Sequence, residues 1–115
     1  MSENNENNIL TYHVNVLQDI ALATVSMRPI PFAPAMEKLV LTPEKYGSVR
    51  RFFVETTHDQ ALPPELQQNI IDQNPPEQVF TIKGSDHSPF FSKPQSLHKV
   101  LVEIAMIAAK KEVAQ

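Results

Sequence analysis

The sequence contains no cysteine and only two glycines among its 115 residues, Gly47 and Gly84, against ten prolines. Without cysteine, the chain cannot form disulfide bonds, zinc sites built from thiolates, or a cysteine nucleophile. The four histidines are scattered, and no two of them have the close spacing of metal ligands. The sequence therefore predicts no metal site.

Strong charge and long apolar runs are also lacking. The formal net charge is −3, which gives no electrostatic reason to expect a nucleic acid or an anionic membrane as partner. No apolar run approaches the roughly 20 residues that span a bilayer. The first eight residues are acidic and polar, unlike a signal or transit peptide. We expect a soluble cytoplasmic protein of about one small domain.

The first third of the chain predicts a tail, one helix and a proline-rich connector. Residues 1–12 offer nothing to bury and are expected to be disordered. Apolar residues at helical spacing predict a helix over Val14–Met27, which packs in a core or lines a ligand pocket. Prolines make Arg28–Pro34 an extended connector. Thr42–Gly47 is predicted to be one helical turn, capped by its threonine and ended by its glycine.

The remaining chain alternates between strand and helix patterns. A strand–helix–strand unit of this length implies parallel strands, and two such strands are too few for a stable sheet. The prediction is therefore part of an α/β fold. The predicted elements are a strand over Val49–Glu55, a helix from Pro63 or Pro64 to Asn74 with Leu66, Ile70 and Asn69 on one face, a strand over Gln78–Ile82, a loop over Lys83–Phe91, and a last helix after Pro94 with a stripe of Leu97, Leu101, Ile104 and Ile107 or Ala108.

Two polar residues follow the two predicted strands. Asp59 lies a few residues after the first strand and His87 a few residues after the second. The carboxyl ends of parallel strands meet at one edge of the sheet, where ligands and reactive groups gather. A carboxylate and an imidazole placed there can form the pair that orients a general base. Position alone leaves a chance arrangement open.

Several ordered motifs resemble plant methylesterases and their hydroxynitrile-lyase relatives, which are α/β-hydrolases. The resemblance runs from about residue 15 to 107 and implies the C-terminal portion of that fold, a cap helix followed by strand, helix, strand and helix. It divides the chain into a tail (1–12), a remnant of the cap (13–47) and a core segment (48–115). The motifs are Gly84-Ser-Asp-His87, Leu97-His-Lys-Val-Leu-Val-Glu-Ile-Ala105, Asp59-Gln-Ala-Leu-Pro63, Leu66-Gln-Gln-Asn-Ile-Ile71 and Val16-Leu-Gln-Asp-Ile-Ala-Leu-Ala23.

The resemblance implies roles for the two polar residues. His87 would be the general base and Asp59 the acid that orients it, with no cofactor and a small ester as substrate. Asp86 is the rival carboxylate, but neighbours in a tight loop rarely point at one another, so we expect it to bond backbone N–H groups instead. Ser85 and Ser88 flank the histidine too closely to serve as its nucleophile. The other histidines, His13, His58 and His98, are expected to lie away from any acid or in solvent.

The sequence departs from the family in one way that matters for activity. The family's serine sits on a G-x-S-x-G turn, and the two distant glycines of this chain cannot form one. Ser88 stands where the lyases usually carry lysine, which favours the methylesterases. Three hypotheses follow. The first is a carboxylic ester hydrolase acting on small methyl esters of plant hormones such as indole-acetic, jasmonic or salicylic acid. The second is a non-catalytic module that binds a ligand or another chain through its apolar surface or an exposed sheet edge, and the third is a truncated, inactive product.

Overall fold

The structure is a computed structural model that describes the backbone of residues 17–113 and the side-chain surroundings of residues 17–110. The predicted tail (1–12), His13 and the first turn of the predicted helix lie outside the described residues. The elements are helices α1 (Leu17–Ser26) and α2 (Phe32–Met36), strand β1 (Phe52–Thr56), helix α3 (Pro64–Gln73), strand β2 (Gln78–Ile82), and helices α4 (Pro89–Ser92) and α5 (Pro94–Val113).

The two strands form a parallel pair, as predicted. Phe52 lies opposite Gln78, and the pairing runs in register to Thr56 opposite Ile82. Helix α3 makes the crossover between them. β1 begins three residues later than predicted. The residue before it still bonds to the segment ahead of β2, since the N–H of Glu77 donates to the Arg51 carbonyl at 2.8 Å. The prediction of an α/β unit with parallel strands is confirmed.

The buried face of α3 differs from the predicted one. Gln67 and Ile71 are buried, whereas Leu66 and Ile70 are 49% and 44% exposed. The apolar spacing was therefore misleading. A glutamine can face the sheet because its side-chain amide finds hydrogen-bond partners there, and a polar group that is fully paired carries little penalty for burial.

Two predicted irregular segments contain short helices. α2 begins inside the connector predicted over Arg28–Pro34, and α4 occupies part of the loop predicted over Lys83–Phe91. In both helices the proline lies in the first turn, where its missing N–H has no intrahelical partner to lose. Proline there permits a helix instead of excluding one.

The last helix begins at Pro94, as predicted, but presents a slightly rotated face. Leu101, which belongs to the predicted stripe, is 53% exposed. Within residues 94–110 the half-buried side chains of this helix are those of Leu97, Val100, Ile104, Ile107 and Ala108.

The turn over Thr42–Gly47 is confirmed. The hydroxyl oxygen of Thr42 accepts the N–H of Lys45 at 3.3 Å, and its carbonyl accepts the N–H of Tyr46 at 2.9 Å. A Cβ at Gly47 would lie 2.6 Å from the Pro43 carbonyl oxygen. Only glycine lets the chain close this turn without displacing its backbone.

Burial concentrates where the strands end. Within residues 17–110 the buried apolar residues are few, and three of the four belong to α3 and β2: Ile71, Phe80 and Ile82, with Ala23 in α1. The buried polar residues outnumber them and, except for Gln67 of α3, belong to the end of β1 and the loops after the two strands. They are Thr56, Asp59, Gln67, Ser85, Asp86 and Ser88.

Candidate active site

The loop after β1 holds Asp59 in a fixed orientation. Its side chain is 3% exposed, and each carboxylate oxygen has a partner. Oδ1 accepts the N–H of Leu62 at 2.7 Å, three residues along the chain, which closes a turn of the type that aspartate favours. Oδ2 accepts the hydroxyl of Thr56 at 2.9 Å. The carboxylate is thus oriented by its own loop.

The loop after β2 carries His87 and is tied to the first loop. Gly84 has a φ of +74°, a backbone conformation that is strained for any residue with a Cβ. The chain turns at this glycine directly after β2. The N–H of Gly84 donates to the Thr57 hydroxyl at 2.8 Å. The N–H of His58 donates to the Ser85 carbonyl at 2.9 Å. These bonds hold the two loops side by side.

Asp59 and His87, 28 positions apart in the sequence, meet between these loops. His87 Nδ1 lies 2.8 Å from Asp59 Oδ2. An ionised carboxylate accepts only, so the bond assigns the proton to Nδ1 and leaves Nε2 as the basic nitrogen. Nε2 has no hydrogen-bond partner among the described residues, and the imidazole side chain is 43% exposed. The arrangement can take a proton from a group that approaches Nε2.

The surroundings of Asp59 favour its charged form. Burial alone raises the pKa of this carboxyl, but the N–H of Leu62, the His87 ring and the Thr56 hydroxyl all bond to the carboxylate. A positive charge on His87 acts in the same direction. Together these interactions lower the pKa of Asp59 below its ordinary value. The carboxylate therefore stays ionised beside the histidine.

Asp86 is fully buried and is bonded within its own loop, as expected. Its Oδ1 accepts the N–H of Ser88 at 2.9 Å. The neighbouring Ser85 is also fully buried, and its hydroxyl donates to the Asp86 carbonyl at 2.9 Å. No hydrogen bond joins a serine hydroxyl to His87 within residues 17–110. The described part of the chain thus contains the carboxylate and the imidazole of the pair, and no serine hydroxyl in it is hydrogen-bonded to that imidazole.

The other described histidines, His58 and His98, are exposed, as expected. Within residues 17–110, no group of three or more histidine, aspartate or glutamate side chains is arranged to hold a metal ion. The described helices include none that is both long and apolar enough to cross a membrane.

Sequence reasoning missed two residues at this site, Thr56 and Gln67. Thr56 bonds to the Asp59 carboxylate, and the side-chain amide of Gln67 bonds to Thr56. One signal was available: Gln67 and Ile71 stand one helical turn apart, so both belong to a single face of α3. Nothing in the sequence distinguished that face from the more apolar one beside it.

Curated relatives match most of the chain. "Putative methylesterase 11, chloroplastic" from Arabidopsis thaliana is 57% identical over 99 residues, which are 86% of this chain and 25% of that protein. "Putative methylesterase 14, chloroplastic" from the same plant is 62% identical over 90 residues, covering 78% of this chain and 26% of that protein. Methyl jasmonate esterase 1 of Vitis vinifera is 38% identical, covering 81% and 37%. No family model matches.

This chain belongs to the plant methylesterase family of α/β-hydrolases. It spans about a quarter of the length of the two chloroplastic methylesterases named above.

Solved structures agree with this membership and confirm the expected part of an α/β-hydrolase fold. A methylesterase from Arabidopsis superposes with a TM-score of 0.78 at 28% identity, over 88% of this chain and 44% of that one. Tomato methylketone synthase I, solved with 2-tridecanone, superposes with a TM-score of 0.73 at 39% identity, over 84% and 38%. The methylesterase family therefore includes structures in which the same elements are one part of a larger molecule.

Proposed function

We propose that this methylesterase segment supplies the acid and the base of a carboxylic ester hydrolase. His87 takes the proton of a serine hydroxyl through Nε2 and later returns it to the leaving alcohol. Asp59 keeps the ring in the required tautomer and stabilises the imidazolium. The observation that carries the proposal is the 2.8 Å contact between His87 Nδ1 and a buried, ionised Asp59. The serine belongs to a G-x-S-x-G turn outside this sequence.

We further propose that the substrates are small methyl esters of plant hormones such as indole-acetic, jasmonic or salicylic acid. The support is the 38% identity to a protein named methyl jasmonate esterase. The division of the chain into a cap remnant (13–47) and a core segment (48–115) is part of the same proposal. Cytoplasmic placement stays a prediction for this chain, while the two relatives named chloroplastic favour a plastid for a full-length form.

The test is a chimeric enzyme. Residues 17–113 replace the matching stretch of methyl jasmonate esterase 1 of Vitis vinifera, which is 38% identical over 96 residues. We expect the chimera to hydrolyse methyl jasmonate, and His87→Ala to lower kcat by about 10⁶-fold, as loss of the triad histidine does in other serine hydrolases. The isolated chain should show no turnover.

His98→Ala is the control, since His98 is an exposed histidine on α5. It should leave kcat unchanged. A folded chimera that binds the ester but does not hydrolyse it, beside an active parent enzyme, would contradict the proposal. So would a His87→Ala variant that keeps its activity.

A non-catalytic interaction module is the second candidate. In the described residues β1 pairs with β2 alone, so ahead of Thr56 its other edge carries backbone groups that another strand could bond. Several large apolar side chains are also exposed, including Ile30 at 80% and Leu39 at 79%. This candidate predicts self-association that grows with concentration in sedimentation experiments. A chain that stays monomeric at high concentration would rule it out.

A further inference from the structure

The side-chain amide of Gln67 is almost fully buried, at 1% exposure, and both of its ends are bonded. Oε1 accepts the N–H of Thr56 at 3.0 Å. Nε2 lies 2.9 Å from the Thr56 carbonyl and 2.8 Å from the Leu62 carbonyl. One side chain thus pairs with the donor and the acceptor of a single strand residue, and also reaches the loop that holds Asp59.

These bonds form on the edge of β1 that faces away from β2. The N–H of Thr57 donates to the Ile82 carbonyl, so Thr57 points toward β2. Backbone groups of successive strand residues point to opposite edges, so those of Thr56 point to the other side. The amide of Gln67 therefore takes the place that a residue of a further strand would occupy. At Thr56 it closes that edge to a further strand and ties α3 to the strand end from which the loop of Asp59 follows.

Gln67 also orients the hydroxyl of Thr56. Nε2 lies 3.2 Å from Thr56 Oγ1, and that hydroxyl lies 2.9 Å from Asp59 Oδ2. Nε2 has two protons for three acceptors, so one N–H is shared between the carbonyl and hydroxyl oxygens of Thr56. Because Nε2 only donates, the Thr56 hydroxyl oxygen accepts from it and the hydroxyl proton is directed at the carboxylate. Gln67 thus donates to Thr56 and Thr56 donates to Asp59, whose carboxylate also accepts the bond from His87 Nδ1.

We propose that Gln67 is a positioning residue, which through the Thr56 hydroxyl holds the Asp59 carboxylate in line with His87 Nδ1. The proposal rests on the proposed function for its importance in catalysis, but its geometry stands without it. A purely structural glutamine would stabilise α3 against β1 without changing the charge state of Asp59.

The test is a double-mutant cycle in the 115-residue chain, read by NMR. Gln67→Met keeps the length of the side chain and removes the amide, and Thr56→Val removes the hydroxyl. We expect each change to raise the pKa of Asp59, measured from its carboxyl carbon resonance, and to broaden the Nδ1–H signal of His87. If Gln67 acts through Thr56, then Gln67→Met adds no further rise in the Thr56→Val background. Thr56→Ser should restore the wild-type values.

Gln68→Met is the matched control on the same helix, because Gln68 is exposed and bonds to Asp72. It should leave the titration of Asp59 unchanged. Gln67→Met should also speed exchange of the Thr56 amide proton about fivefold, the factor for one ordinary hydrogen bond. Equal pKa values of Asp59 in the wild type and in Gln67→Met, or additive effects in the cycle, would overturn the proposal.

Two further measurements keep the test decisive. If Gln67→Met does not fold, the proposal is tested on the wild-type chain. The Thr56 hydroxyl proton should exchange slowly with water and show a nuclear Overhauser effect to the Gln67 amide. Absence of that effect would overturn the proposal. In the active chimera, Gln67→Met should lower kcat about tenfold at unchanged KM, since small misplacements cost that much or more. The NMR results do not depend on ester hydrolysis, so failure of the proposed function is distinguished from failure of this one.

Discussion

The loops at the carboxyl ends of the strands differ sharply from the segment between residues 17 and 51. The loops bury polar groups: Asp59, Ser85, Asp86 and Ser88 are at most 5% exposed. In residues 17–51 only Ala23 is buried, and large apolar side chains such as Ile30 and Phe32 are 80% and 75% exposed. Polar residues lie inside in one region, and apolar residues lie outside in the other.

The difference follows from the range of the two kinds of interaction. A hydrogen bond is satisfied by one correctly placed partner, and the two loops supply those partners to each other. An apolar side chain is protected from water only by an extended surface. Among the described residues, no such surface covers α2 or the segment after it. The geometry of the site is thus maintained by hydrogen bonds within and between the two loops. Residues 17–51, by contrast, add little to the free energy of unfolding. Three experiments test this difference.

The largest effect should come from matched isoleucine truncations in the two regions. Ile82 at the end of β2 is 2% exposed, and Ile30 is 80% exposed. Ile82→Ala should lower the free energy of unfolding by about 2–5 kcal/mol, because it leaves a cavity beneath the site. Ile30→Ala should change it by less than about 0.5 kcal/mol. Urea unfolding measures both, and equal losses would show that the first region is packed after all.

A smaller effect should come from Asp59 and depend on pH. The pKa of Asp59 in the folded state lies below its ordinary value of 3.8, so the ionised carboxylate stabilises the fold fully above that pH. This stabilisation disappears as the pH falls below 3.8 and through the lower folded pKa. Asp59→Asn should therefore cost about 1.5 kcal/mol at pH 7, the lower end for hydrogen bonds to a charged group. The difference from wild type should shrink in urea titrations below pH 4.

Asp72→Asn is the control for this measurement, because Asp72 is exposed and its carboxylate accepts a bond from Gln68 on the same helix. We expect the wild-type change of stability with pH to persist in it. If Asp59→Asn kept that change in full, the bonds to the Asp59 carboxylate would not stabilise the fold.

The smallest loss of stability should come from replacing either glycine. What distinguishes the two replacements is the region of the protein that each one disturbs. Gly47→Ala pushes a Cβ against the Pro43 carbonyl, and Gly84→Ala forces alanine into a positive φ. Each should cost about 1 kcal/mol. In Gly47→Ala, hydrogen exchange should show loss of protection at the Tyr46 amide. In Gly84→Ala alone, the NMR signal of the His87 Nδ1–H should be lost. Loss of that signal in both variants would mean that the regions are coupled.

Local patterns predicted much of this fold. Gln78–Ile82 was predicted with the bounds that the structure has, and the α3 helix was predicted to begin at Pro63 or Pro64, because proline and strand alternation act within a few residues. The inner face of α3 was predicted wrongly. Apolar periodicity depends only on which residues are apolar. It gives no indication that the Gln67 amide has one hydrogen-bond donor and three acceptors within reach on Thr56 and Leu62.

The placement of Asp59 and His87 after successive strands was determined by the sequence alone, since strand ends and turn residues are local signals. Their separation of 2.8 Å was decided only by the tertiary structure. That distance depends on the parallel pairing of β1 with β2, on the bonds between the two loops, and on a glutamine turned toward the strand. Each of these contacts joins residues distant in the chain, whose mutual geometry exists only once the strands have paired.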